Sequence, residues 1–205
     1  MPHPQLPVLC LASASPRRKA LLASIGVMAD VIACDVDETP LPGEGGVDYV
    51  TRLAKAKAVA AIPSTDLPVL GSDTAVILED RVLGKPQNAD HAAAMLRSLS
   101  GRSHEVVTAV VVHGPLGMLT ACVTTQVMMR CLSEAEIAAY WRTGEPQDKA
   151  GGYAIQGKAA IFVERIAGSH SAVVGLPLYE TAELLSRQGV PLWDGVWEHD
   201  AGLPY

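Results

Sequence analysis

Asp73 stands in the run Val69-Leu70-Gly71-Ser72-Asp73-Thr74-Ala75-Val76-Ile77-Leu78, a stretch otherwise suited to a buried central strand. An unpaired carboxylate in such a place costs several kcal/mol, so it requires a cation. Lys57, Lys85 of Gly84-Lys85-Pro86, or a metal shared with an acidic residue of the patch from Asp35 to Glu38 would meet that need. The same residues also fit a buried ion pair without catalysis. Lys57 has its own anomaly. In a helix read over residues 48 to 61, Val50, Leu53, Ala54 and Ala61 share one face, and Lys57 falls in the middle of it while Lys55 points elsewhere. A lysine there must snorkel to the edge, lose its charge, or meet a carboxylate or phosphate.

Ser13-Ala14-Ser15-Pro16-Arg17-Arg18 lies between a strand and a helix, with Ser15 placed to cap the helix and Pro16 at its first position. Two arginines in a first turn are mildly unfavourable unless an anion is shared there. Ser13, Ser15, Arg17, Arg18 and the backbone N–H groups then form either a phosphate cradle or a solvated basic helix start. Gln156, in Tyr153-Ala154-Ile155-Gln156-Gly157, carries a donor and an acceptor side by side next to a glycine that admits a close approach. Its amide complements the edge of uracil or thymine, equally that of adenine, or is a plain turn glutamine.

The elements that position these residues alternate. The apolar run from Leu6 to Leu11 reads as a strand, followed by a helix from Pro16 to Ile25 closed by Gly26. A short apolar run from Val27 to Cys34 leads through a Gly/Pro-rich loop into the helix bearing Lys57. After the Asp73 strand come a turn at Glu79-Asp80 and a helix from Asp90 to Leu99 stopped by Gly101. Residues 106–112 and 118–129 then read as a long hairpin. Ser133 and Glu136 have capping-box spacing, and Gly144 ends the helix they start. The segment from Gly151 to Gly157 precedes a hairpin predicted around Gly168, and a last helix runs from Pro177 to Gln188. The fold class is α/β with a mixed sheet, and residues 1–205 are expected to form a single domain.

A hydrophobic content of 49% with 19% charged residues is an ordinary globular balance. The net charge of −6 without a Lys/Arg run excludes non-specific gripping of a nucleic-acid polymer, so bound phosphate requires locally concentrated cations. Cys10, Cys34, Cys122 and Cys131 lack CxxC spacing and read as buried thiols of a reducing compartment. Met1 to Gln5 has no basic leader and no apolar run is long enough to span a bilayer, so a soluble cytoplasmic protein is expected. No GxxxxGK[ST] appears, which argues against a P-loop enzyme. The histidines lack ligand spacing and read mostly as surface or strand-end residues.

Taken together these segments resemble the Maf family of nucleotide pyrophosphatases, once known as septum-formation inhibitors. The resemblance rests on residues 11–18 with Leu21-Leu22, Asp37-Glu38, Arg52-Leu53-Ala54 with Lys57-Ala58, Gly71-Ser72-Asp73-Thr74 and Gly84-Lys85-Pro86. It continues through Leu99-Ser100-Gly101, Asp148-Lys149-Ala150-Gly151, Ile155-Gln156-Gly157 and Val174-Gly175-Leu176-Pro177, in order over about residues 8 to 186. It implies an elongated mixed sheet flanked by helices, two lobes around a cleft as in the Maf and ITPase-like folds, and usually a homodimer. It also implies cleavage of nucleoside triphosphates between the α and β phosphates. By position Asp73 would be the general base, with Ser13, Arg17, Arg18, Lys57 and Lys85 holding phosphate and Glu38 with Asp73 carrying Mg²⁺ or Mn²⁺. Thr74 and the Ile-Gln-Gly segment resemble the subgroup acting on dTTP and UTP, with Arg17, Thr74 and Gln156 tuning specificity. Ser72 stands where alanine is frequent, and Ala154 where glycine is common, which would narrow the base pocket slightly. A pyrophosphatase for 7-methyl-GTP or other modified nucleotides, and a non-catalytic nucleotide-binding regulator of cell division, remain the alternatives.

Overall fold

Three long strands set the frame in a computed structural model that describes residues 6–193. The strands are β3 (Val69–Leu78), β5 (Ser103–Gly114) and β6 (Gly117–Met129), and their buried positions are dense in β-branched and other apolar residues. β5 runs antiparallel to both β3 and β6, with Leu70 opposite Val112 and Asp73 opposite Ala109. The short strands β1 (Leu9–Leu11) and β2 (Ala29–Val31) extend the sheet in parallel, and β7 (Val163–Ala167) closes the other edge against β6. The order is β2-β1-β3-β5-β6-β7, with β4 (Arg81–Leu83) folded back on β3 through Glu79 and Asp80, both at positive φ. The expected mixed sheet flanked by helices is therefore present. β4 is an addition, since its three residues are too few to show a period.

Pairing along β3 leaves a gap. β1 meets only Val69 and Leu70, and pairing with β4 starts at Val76, so from Gly71 to Ala75 one flank of β3 has no strand neighbour among the described residues. Helix α1 (Pro16–Ser24) starts beside that gap, its Ser15 cap accepting from the Arg18 N–H, and Gly26 at positive φ follows its end.

Strand alternation sorts the two faces. Ala75, Ile77, Val107, Ala109 and Val111 pack against α2 (Gly46–Ala61) through Val50, Ala54, Ala58 and Ala61. On the opposite face Leu70, Val110 and Val112 pack with α1 and α6 (Leu178–Arg187), while Val76, Leu78 and Val106 pack with α3 (Ala89–Leu99) and α4 (Glu134–Arg142). Both halves of the predicted capping box on α4 are formed.

Two expectations need correction. No hairpin forms around Gly168: β7 is followed by helix α5 (His170–Val174), whose Ser169 cap accepts from the Ala172 N–H. The β-branched run there is held helical by tertiary contacts, with Ala172 buried and its carbonyl accepting from Thr108. Cys10 is buried, but Cys34 is only partly so and Cys122 and Cys131 are exposed, all four as free thiols. Cys122 takes an outward position of β6, where alternation decides exposure, and Cys34 and Cys131 lie outside the strands. His104 sits at the start of β5, a strand-end place as expected, and is 3% exposed. The segments from Met1 to Gln5 and beyond Trp193 lie outside the described residues. Among the described residues no helix is long and apolar enough to cross a membrane.

Candidate active site

The gap beside β3 opens into a cleft of about 650 Å³, within the range of small-molecule sites. Ser13, Arg17, Arg18, Glu38, Lys57, Asp73, Thr74, Lys85 and Gln156 all line it. These nine residues are thus brought to one place, whereas Asp35 and Asp37 of the acidic patch do not line it. Five cations (Arg17, Arg18, Lys57, Lys85 and Lys149) face three carboxylates (Glu38, Asp73 and Asp148) there, in a chain whose formal charge is −6. This is the local concentration that binding a polyanion requires.

Strand alternation turns Asp73 toward α2, where Lys57 lies one turn beyond Leu53 and Ala54 on the buried stripe. The three outcomes open to Lys57 resolve to one: its ammonium meets Asp73 Oδ1 and Glu38 Oε1, each at 2.7 Å. Lys57 and Asp73 are 9% and 8% exposed. The shared cation leaves the carboxylates in different states. Burial drives the Asp73 carboxyl above the ordinary carboxylate range, opposed by the charges of Lys57 and Arg18. For the half-exposed Glu38, burial also acts upward, but the hydrogen bond and charge of Lys57, with Lys85 and Arg18 behind it, hold the group below that range. Asp73 is the better proton acceptor of the two, and Glu38 stays ionised.

The loop carrying Glu38 is tied to α2. Tyr49 Oη donates to the Glu38 carbonyl at 2.9 Å, and Arg52 donates to Glu44 through Nε at 2.6 Å and Nη2 at 2.7 Å, and to the Thr39 carbonyl. The arginine of the Arg-Leu-Ala segment thus holds the loop.

Arg18 lies on the other wall, 9% exposed. Its Nε donates to the Gly175 carbonyl at 2.8 Å, Nη1 to Ser13 Oγ at 3.1 Å and Nη2 to Thr74 Oγ1 at 3.2 Å. Three of its five N–H donors are therefore spent inside the protein, so it organises Ser13 and Thr74 and adds charge to the cleft. Ser72 Oγ donates to the same Gly175 carbonyl at 3.2 Å, and Thr108 Oγ1 lies 3.0 Å from Thr74 Oγ1. Arg17 is partly exposed, 4.0 Å from Asp148. Lys85 makes no hydrogen bond or ion pair among the described residues and faces the cleft as a free cation.

No group of three or more His, Cys, Asp or Glu side chains is placed to hold a metal ion among the described residues. Glu38 Oε1 and Asp73 Oδ1 both meet the Lys57 ammonium, which leaves Glu38 Oε2 and Asp73 Oδ2 as the hard oxygens that would reach a metal. A pair of carboxylates suits Mg²⁺ or Mn²⁺, which usually completes its shell with water and substrate phosphate.

Sequence reasoning missed the residues behind the Gln156 wall. His104 Nε2 lies 2.7 Å from Tyr153 Oη, with the rings edge to face at 5.5 Å, and His104 Nδ1 is buried without a partner among the described residues. A buried orphan N–H costs more than a bare acceptor nitrogen, which assigns the ring proton to Nε2. A second proton would have to sit on Nδ1 away from water, so burial pushes His104 down from 6.5 to about 4. The unfolded chain then binds more protons than the folded one between those values, and stability declines as pH falls from about 6.5 through about 4. The difference is on the order of 3 kcal/mol. Urea unfolding at pH 7 and pH 4.5 checks it: a His104→Gln protein loses less stability across that interval than the wild type. Equal losses would mean that His104 is not the responsible group.

Residues 8–188 match the family model described as Maf-like protein. The chain is 50% identical over 193 residues to the dTTP/UTP pyrophosphatase of Saccharophagus degradans, covering 92% of each chain. It is 53% identical over 181 residues to the dTTP/UTP pyrophosphatase of Yersinia pestis bv. Antiqua, covering 87% of this chain and 92% of that one. Among solved structures, a HAM1 protein from Coxiella burnetii matches 89% of this chain and 100% of its own with a TM-score of 0.50 at 18% identity, a likeness of fold alone.

Proposed function

This chain belongs to the Maf-like protein family, and from that premise we propose that it hydrolyses dTTP and UTP to the nucleoside monophosphate and pyrophosphate. The observation that carries the reading is the Asp73 carboxylate, held 2.7 Å from the Lys57 ammonium on the uncovered flank of β3, in a cleft where cations outnumber carboxylates.

Asp73 orients and deprotonates a water for in-line attack on the α phosphorus. The new bond joins that oxygen to the α phosphorus, the bond to the bridging oxygen breaks, pyrophosphate leaves and the proton passes to Asp73. Lys57, Lys85, Arg17, Arg18 and Ser13 hold the triphosphate and balance its charge. Arg18 acts mainly through charge and through its hold on Ser13 and Thr74. A divalent metal, Mg²⁺ or Mn²⁺, would be held by Glu38 and Asp73 and would neutralise charge on the phosphates. Gln156 pairs with the O4 and N3–H edge shared by uracil and thymine, with Arg17 and Thr74 completing the specificity set. A homodimer in the cytoplasm belongs to the same proposal, from the family resemblance.

Product analysis with Mg²⁺ on dTTP, UTP, CTP, ATP, GTP and 7-methyl-GTP tests it. Pyrophosphate and monophosphate formed preferentially from dTTP and UTP are the expected result. Release of orthophosphate would overturn the bond assignment, and preference for 7-methyl-GTP would overturn the role of Gln156 while leaving the chemistry. Stable triphosphate binding without any product would replace the enzyme by a binding regulator.

A further inference from the structure

Gln156 sits in a four-residue turn closed by a hydrogen bond from the Gly157 N–H to the Ala154 carbonyl at 3.0 Å. Ile155 is buried in the core beside it, and Gln156 itself is exposed to the cleft. What fixes this turn lies outside the cleft. Tyr140, 3% exposed on α4, accepts the Ala154 N–H at 3.1 Å through its hydroxyl and donates that hydroxyl to Glu145 Oε1 at 2.7 Å. Glu145 in turn accepts the N–H of Lys158 at 3.0 Å through Oε2 and that of Ala159 at 3.4 Å through Oε1. One tyrosine and one carboxylate therefore hold the backbone on both sides of Ile155-Gln156-Gly157.

The fit is tight from the loop side as well. A Cβ on Gly157 would stand 2.3 Å from Glu145 Oε2, so the carboxylate occupies the place of a side chain under the turn. Burial raises Glu145, but the N–H donors of Lys158 and Ala159 and the Tyr140 hydroxyl outweigh it and hold the carboxyl below its ordinary range. The relay is thus charged and preorganised. Phe162 packs edge-on against the Tyr140 ring at 5.2 Å, which fixes the ring's direction.

We propose that Tyr140 and Glu145 are positioning residues for base selection, holding the Ala154–Gly157 turn so that the Gln156 amide meets a pyrimidine edge. Neither lines the cleft that holds Asp73. The effect falls on nucleotide binding and on discrimination between bases, and the chemical step is spared. The inference rests on the reading of Gln156 given above.

Its test compares kcat and KM for dTTP, UTP and CTP in the wild type, Tyr140→Phe, Glu145→Gln, Gly157→Ala and Gln156→Ala, with thermal unfolding as a check on folding. Tyr140→Phe leaves the Ala154 N–H unsatisfied, and Glu145→Gln replaces a three-fold acceptor by an amide. Each raises KM for dTTP and lowers the dTTP-over-CTP ratio of kcat/KM about tenfold, with kcat for dTTP within about twofold of wild type. Gly157→Ala, which displaces the carboxylate from the other side, gives the same pattern. A merely structural role would lower kcat for every nucleotide alike with KM and the ratio unchanged, and that result overturns the proposal. If Gln156→Ala retains the wild-type ratio, the reading of Gln156 fails and takes the proposal with it. If Gln156→Ala loses the ratio while the folded relay variants keep it, the reading stands and the relay alone is wrong.

Discussion

Replacing Asp73 by Asn lowers turnover of dTTP by about 10²- to 10⁴-fold, the usual contribution of a positioned general base, while the protein remains folded. Asparagine keeps the volume of the side chain and still offers an oxygen to Lys57, whose second partner Glu38 is untouched at 2.7 Å. Buried charge is therefore not stranded, which is the usual reason that breaking such a pair unfolds a protein. The proton acceptor is lost outright, because an amide does not take a proton from water at neutral pH. Steady-state release of pyrophosphate, with circular dichroism to verify the fold, measures the effect. Unchanged turnover by a folded Asp73→Asn protein would remove Asp73 from the chemistry and leave it a structural ion-pair partner.

Gly71→Ala destabilises the protein by about 3 kcal/mol or more, the upper end of what overpacking costs. For a chain of this size that lowers the melting temperature by on the order of 10 °C. Gly71 lies on the face of β3 that α2 crosses. An alanine Cβ there would stand 2.2 Å from the Ala54 carbonyl oxygen, 2.8 Å from the Ala58 nitrogen and 3.0 Å from the Ala58 Cβ. Backbone atoms of a buried helix do not swing aside as a flexible side chain does, so α2 must lift from the sheet. Lys57 belongs to the same turn of helix and Asp73 is two residues along the same face of β3, so activity falls with stability. Gly84→Ala is the control, since nothing lies within 4 Å of the Cβ it would add; its melting temperature stays near that of the wild type. A Gly71→Ala protein melting like the control would disprove the claim that this glycine sets the separation of helix and strand.

Elements governed by local rules were legible from their residues. The bounds of β3 follow from its apolar run, the ends of α1 from Ser15, Pro16 and Gly26, and the start of α4 from its capping box. Each depends on contacts within a few residues, where side-chain chemistry acts directly on the backbone. The region around Gly168 was misread because its β-branched run favours a strand by propensity. Burial of Ala172 and the bond from Thr108, more than sixty residues away, make it a helix instead.

The same division runs through the site. Local anomaly in the sequence singled out Ser13, Arg17, Arg18, Lys57, Asp73 and Gln156 and offered Lys85 and the acidic patch as partners, because charged and amide groups on apolar stripes or at a helix start demand partners; Thr74 and the choice of Glu38 came from the family resemblance alone. Local anomaly left three fates open for Lys57 and three partners for Asp73. Only the tertiary structure decided that Lys57 lies between Asp73 and Glu38, that Arg18 spends its hydrogen bonds on Ser13, Thr74 and Gly175, and that Tyr140 and Glu145 hold the turn bearing Gln156. A periodic pattern specifies which face of an element a residue occupies; which distant residue faces it is set by strand order, by the unpaired flank of β3 and by how closely Gly71 lets α2 approach.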